Sequence, residues 1–161
     1  MNTEIQTMLS ASEGRYPTRA EQAVLREWAS KLDARLEAID VIRSAEENII
    51  GQTLDEVLVT YPNVEKHYKN VRSSGTRDMS LVLRYCAQAM LRGDIKYLDD
   101  SILTWMSTIL RGVGLAPQFI EDTYRALARV AARELPPQVA ELLRPYIERC
   151  AQVLPGRPET P

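Results

Sequence analysis

Gly75-Thr76-Arg77-Asp78-Met79-Ser80-Leu81-Val82-Leu83-Arg84-Tyr85-Cys86-Ala87-Gln88-Ala89-Met90-Leu91-Arg92-Gly93-Asp94 decides how the rest of the chain is read. Leu81, Leu83, Cys86, Ala87, Met90 and Leu91 give it the composition of a largely buried helix, predicted from about Thr76 to Arg92. Gly93 is a ready C-terminal stop, since glycine tolerates the left-handed conformation that ends helices. The helix nevertheless carries charge. Arg77 and Arg84 are seven residues apart, about two turns, so both project from nearly one face. Asp78 falls near the expected helix start, where the helix dipole favours a carboxylate. Two cations and an anion beside an apolar surface suit a mostly apolar ligand with acidic arms. The same three residues also suit a helix cap tied to its adjoining loop. Spacing alone leaves both readings open.

Outward from this helix the pattern is helical throughout. Ile5, Met8 and Leu9 mark a short amphipathic helix within Asn2 to Ser12. Gly14 to Thr18 breaks it, and Thr18 with Glu21 forms a capping box. Ala20, Val24, Trp28, Leu32, Leu36, Ile39, Ile42, Ile49 and Ile50 then recur every three or four residues, with a bend expected at Gly51. Leu54, Val57 and Leu58 lead on to Tyr61-Pro62, where the proline disfavours further helix. Pro62 to Gly75 is polar and reads as a loop with one helical turn. Asp99 to Arg111 is an apolar helix closed by Gly112 and Gly114. Pro117 opens another helix, running to Leu135, from an N1 position. Pro136-Pro137 is a hard break before the last helix, in which Pro145 predicts a kink. The tail from Pro155 to Pro161 reads as disordered. No strand pattern occurs, so the fold is all-α with seven or eight helices of unequal length, packed crosswise in the globin manner. A single domain over residues 1–154 is expected, with residues 1–14 as an N-terminal helical extension.

The chain has 161 residues, 45% of them hydrophobic and 26% charged, with a net charge of −2. That is the profile of a soluble globular domain, with no general attraction to nucleic acid. The first twelve residues carry Glu4 and no long apolar run, so no signal peptide is read there and no membrane span is expected. Cys86 and Cys150 read as free thiols of a cytoplasmic protein. His67 is the sole histidine and reads as a solvated loop residue, which leaves no closed zinc site. There is no phosphate-binding glycine loop, no GxSxG and no HExxH, so the chain does not read as an enzyme. The helix Asp99–Arg111 offers no histidine to a heme. Heme would then be held by Cys86, by His67 or without an axial protein ligand, which makes it the lesser ligand.

The order of landmarks resembles the phycobiliproteins, the globin-like light-harvesting proteins, from Arg15 to about Val153. Arg15-Tyr16 before a helix start, Ala45-Glu46-Glu47-Asn48-Ile49-Ile50, Tyr61-Pro62, Arg77-Asp78, Leu83-Arg84, Gly93-Asp94, Leu98-Asp99-Asp100 and Gly114-Leu115-Ala116-Pro117 each match a family segment in type and spacing. The family pattern around the second of these is Ala-Arg-Glu-Arg-Ile-Ile. Two departures stand out. The family's bilin-attaching cysteine precedes its Arg-Asp pair by two residues, and here that position is Gly75. A family tyrosine near the end of the same helix is replaced by Gln88. Glycine has no thiol, so a covalent bilin at the usual site is excluded. The resemblance implies that Arg77 and Arg84 pair with propionates and that Asp78 accepts from pyrrole N–H groups. It is closest to the bilin-biosynthesis-associated globins, which lack the attachment cysteine. This implies reversible binding of biliverdin or phycocyanobilin, with bilin-synthesis enzymes as partners. It also implies a homodimer or heterodimer through the N-terminal helices, on the stripe of Ile5, Met8 and Leu9 with Arg15-Tyr16. The alternative is a pigment-free interaction protein that keeps the fold.

Overall fold

The computed structural model describes residues 2–156. They form α1 (Thr3–Ala11), α2 (Arg19–Ser30), α3 (Leu32–Thr60), α4 (Val64–His67), α5 (Val71–Arg92), α6 (Ile95–Leu98), a π-helical turn (Asp99–Leu103), α7 (Thr104–Gly112), α8 (Pro117–Glu134) and α9 (Pro137–Val153). No strand occurs among the described residues. Local chemistry explains most of these boundaries. Thr18 Oγ1 accepts from Glu21 N at 3.3 Å while Glu21 Oε2 accepts from Thr18 N at 2.6 Å, the reciprocal capping box expected for α2. The hydrogen bonds from Arg15 and from the Thr18 backbone hold the Glu21 carboxyl down at about 2. Proline opens both α8 and α9. Gly93 closes α5 at φ +66°, and a side chain there would begin 2.8 Å from the Arg35 guanidinium. The left-handed conformation favours glycine there, and a larger residue would also have to displace the Arg35 guanidinium.

Packing of α3, α5, α8 and α9 against one another makes the core. Helix α5 turns Met79, Val82, Leu83, Cys86, Ala89 and Met90 inward at helical spacing. Leu83, Leu103, Leu127 and Leu143 are fully buried, each contributing about 2 kcal/mol of transfer free energy. The sulfurs of Cys86 and Cys150 lie 3.4 Å apart in this core as free thiols, and burial pushes the Cys150 thiol well up. Both thiols are expected to be inert to an aromatic disulfide reagent in the native protein and to react fully on unfolding. Thiol titration with and without denaturant checks this.

Several boundaries differ from the periodic reading. Helix α3 runs unbroken through Gly51, whose exposed face meets nothing within 4 Å. Burial of Ile49, Ile50, Thr53 and Leu54 around it outweighs the roughly 1 kcal/mol that a mid-helix glycine costs. The chain breaks instead at Lys31, between α2, which buries no residue, and α3. Single-turn α4 is the helical turn expected in the loop from Pro62 to Gly75, and single-turn α6 adds a short helix where the sequence reads as a turn containing Tyr97. The last helix, by contrast, holds Pro145 within it, as the sequence places it. Pro155 is buried and Gly156 packs against Arg111, so the first two residues of the expected disordered tail are ordered. The rest of that tail, residues 157–161, lies outside the described residues.

Helix α1 is tied to its own domain. Asn2 Nδ2 donates to Gly93 O at 3.1 Å, and Thr3 N and Oγ1 donate to Asp94 Oδ2 at 2.7 and 2.5 Å. Asp94 Oδ1 also accepts from Tyr97 N at 3.1 Å, so one carboxylate caps α6 and clamps the start of α1. Ile5 is only 1% exposed. The α1 stripe thus turns Ile5 onto its own chain instead of leaving it open for a neighbour.

Burial is the largest influence on the Asp94 carboxyl and pushes it up, but the hydrogen bonds from Thr3 and Tyr97 together carry it below the usual carboxylate range. A folded-state value below the unfolded one stabilises the fold above the unfolded value, and that stability is lost as pH falls through the folded value. Hydrogen-exchange protection factors at Thr3 and Tyr97, taken relative to the intrinsic rate at each pH, are therefore expected to fall selectively as Asp94 is protonated. Asp94→Ala should show the same low protection at neutral pH.

Candidate functional site

Helix α5 begins at Val71, five residues before the start expected from composition. Ser73 and Ser74 read as loop residues, yet Ser74 and Gly75 are half-buried, because α5 packs along α3 and that contact overrides their weak helix propensity. At Gly75 a Cβ would meet Leu54 Cδ2 at 3.0 Å. A side chain there would begin in tight contact with that methyl, which would have to give by a few tenths of an ångström. Asp78 consequently lies in the second turn of α5, away from the helix N-terminus, and a dipole cap does not account for it.

A cavity of about 360 Å³ opens beside this turn. Its walls are apolar: Leu54 and Val57 of α3, Leu110 of α7, and Phe119 and Ile120 of α8. Gly75, Arg77 and Asp78 line it from α5, and Lys69 and Asn70 line it from the preceding turn. Arg77 is 75% exposed and donates from Nε and Nη2 to Asp78 Oδ1 at 2.9 Å, whereas Asp78 is 24% exposed. The guanidinium stands in solvent and the carboxylate stands on the cavity wall. Tyr68 Oη donates to Gly114 O at 3.1 Å, joining the segment before α5 to the one between α7 and α8. Tyr124 lines the cavity from α8 at 3% exposure.

Arg84 does not join this group. Its Nε and Nη2 donate to Glu46 of α3 at 2.7–3.1 Å, which raises its already high pKa. It lines a separate groove between α3 and α5 with Ile39, Ile42 and Gln88. The spacing of Arg77 and Arg84 places them on one helix face, as expected, but α3 crosses that face and puts a carboxylate at the second position. Gln88 accepts from Tyr97 Oη at 2.8 Å, so a tyrosine hydroxyl from α6 reaches the position where Gln88 interrupts the family pattern.

Neither His67 nor Cys86 lines the cavity. His67 is exposed at the end of α4, with Nδ1 2.7 Å from Asn63 O. Among the described residues no group of three or more His, Cys, Asp or Glu is placed to hold a metal ion. The cavity offers cations at its mouth, one carboxylate on its wall and apolar surface elsewhere. That donor set fits an amphiphile with acidic arms and N–H groups, and the lining includes neither a histidine nor a cysteine to ligate an iron.

Lys69, Tyr68 and Tyr124 escaped the sequence reading. Tyr124 left a signal, because a tyrosine on the core-facing stripe of a helix needs a partner for its hydroxyl.

No helix among the described residues is long and apolar enough to cross a membrane. The family described as "Phycobilisome protein" matches residues 9–154. The allophycocyanin beta chain of Thermosynechococcus vestitus is 25% identical over 138 residues, which is 82% of this chain and 86% of that protein. The allophycocyanin alpha-B chain of Cyanophora paradoxa is 24% identical over 160 residues, covering 96% and 99%. The C-phycocyanin beta chain of Cyanophora paradoxa is 27% identical over 107 residues, covering 63% and 62%. With its all-α globin-like fold and a family match over nearly its whole length, this chain belongs to the phycobilisome protein family.

Proposed function

We propose that this chain binds a linear tetrapyrrole noncovalently in the cavity between α3, α5, α7 and α8, and acts as a carrier or accessory factor in bilin synthesis, receiving pigment from or passing it to the synthesising enzymes. The observation that carries this reading is Gly75: it has no thiol, and it stands at the cavity wall with Leu54 close against it. Arg77 and Asp78 remain at the cavity, so charged contacts persist where a covalent tether does not. Arg77 suits a propionate at the mouth, with Lys69 beside it. Asp78 suits the pyrrole N–H groups. The bound tetrapyrrole would supply the visible absorption, and the protein residues would fix its shape and exclude water. Arg84, engaged by Glu46, is assigned to the α3–α5 groove.

Adding biliverdin to the purified protein is expected to produce induced circular dichroism in the visible region. Arg77→Ala should weaken that signal and Arg84→Ala should leave it intact. Equal loss in both variants would move the acidic arm to the other groove.

A second reading, a pigment-free interaction protein, is favoured by one feature. Helix α2 buries no residue, and Val24 and Leu36 are 43% and 48% exposed. This face suits a homodimer or heterodimer contact formed by the N-terminal helices. Under either reading, Val24→Glu with Leu36→Glu is expected to lower the mass measured by light scattering to that of a monomer. An unchanged mass would remove α2 from the interface.

A further inference from the structure

Tyr124 is a buried phenol without a hydrogen-bond partner among the described residues. It is 3% exposed and lines the cavity, and its oxygen is not sealed inside protein. The nearby polar groups are otherwise engaged: Thr123 Oγ1 donates to Phe119 O at 2.7 Å, and Asp78 accepts from Arg77 at 2.9 Å. Phenylalanine would fill the same volume with no polar group to satisfy. A hydroxyl left unmade at this depth is costly unless something entering the cavity completes it.

We infer that Tyr124 contacts the bound ligand, its hydroxyl donating a hydrogen bond to a neutral carbonyl oxygen at the deep end of the cavity. This rests on the cavity being the ligand site proposed above. Burial foremost, then the charges of Cys150, Cys86 and Asp78, push the phenol well above its ordinary value, so it enters the contact as a donor. With Asp78 already supplying an acceptor on the same wall, a ligand acceptor is the counterpart that uses this proton. An anionic acceptor is disfavoured there, because Asp78 already places a negative charge on the wall of a cavity with apolar surroundings. Carboxylates belong at the mouth with Arg77 and Lys69. A donor at Tyr124 and an acceptor at Asp78 together select a ligand carrying carbonyl and N–H groups on its inner edge, as a cyclic amide does.

The test compares the wild-type protein with Tyr124→Phe, each titrated with biliverdin and, separately, with biliverdin dimethyl ester, whose carboxylates are capped. Tyr124→Phe is expected to unfold at the same or a higher temperature without ligand and to bind biliverdin about tenfold more weakly, the size of one net hydrogen bond. The same loss is expected with the ester. Equal affinities of the two proteins for biliverdin would overturn the inference and leave Tyr124 a core residue. A loss seen with biliverdin but absent with the ester would overturn the neutral carbonyl. Absence of binding by the wild type would instead remove the cavity reading itself, and this inference with it.

Discussion

Asp78→Ala is expected to weaken biliverdin binding by roughly tenfold to a hundredfold, the range for a hydrogen bond to a charged group. The argument rests on where the carboxylate stands. Asp78 is 24% exposed on the wall of an otherwise apolar cavity, so N–H groups buried against it would have no water to replace the lost acceptor. Arg77 adds to the effect indirectly. It holds Asp78 Oδ1 through two donors at 2.9 Å, leaving Oδ2 for the ligand. The substitution should barely change folding stability, because the pair with the exposed guanidinium contributes little. Equilibrium titration beside a urea unfolding curve separates the two. A large drop in stability with unchanged affinity would make Asp78 a structural residue.

The largest expected effect on stability lies on the same helix, one face round. Leu83 is fully buried in the contact of α5 with its neighbours. Leu83→Ala removes that side chain from a core whose helices cannot close up without shifting one another, and should cost about 3 kcal/mol of unfolding free energy. Urea unfolding measures it directly. A loss under about 1 kcal/mol, outside the range for such a cavity, would mean that α5 is not the central helix of the fold.

Features set by short-range chemistry were legible in the sequence. The capping box at Thr18 and Glu21, the proline opening α8, the break at Pro136 and the glycine stop at Gly93 each depend on a few neighbouring residues, and each is where the sequence reading puts it. Features set by contact between distant segments were not. The early start of α5 depends on α3, which packs against Gly75 through Leu54. The continuity of α3 through Gly51 depends on burial on both sides of that residue. Arg84 is the clearest case. Its pairing partner Glu46 is 38 positions away, and no helical spacing within α5 could reveal it. Glu46 stands where the resembled family segment has arginine, so the reversed charge at that position is what captures Arg84. Helical spacing linked Arg84 to Arg77, and tertiary packing separated them.

The candidate site follows the same division. Arg77 and Asp78 were found because they are adjacent and matched a known pattern. Tyr124 sits on α8, far along the chain, and in sequence looked like one more core residue between Ile120 and Leu127. The role inferred for it rests on the pairing of a buried hydroxyl with no partner among the described residues and a cavity that it lines. Gly75 is intermediate. The missing thiol is plain in sequence, while the closeness of Leu54 to that position needed the fold.

The most direct measurement mixes the purified wild-type protein with biliverdin, records visible absorbance and circular dichroism, and then separates protein from pigment under denaturing conditions. The account predicts an induced signal in the native protein and pigment-free protein after denaturation. No induced signal at saturating pigment, or pigment that stays with the denatured chain, would contradict it.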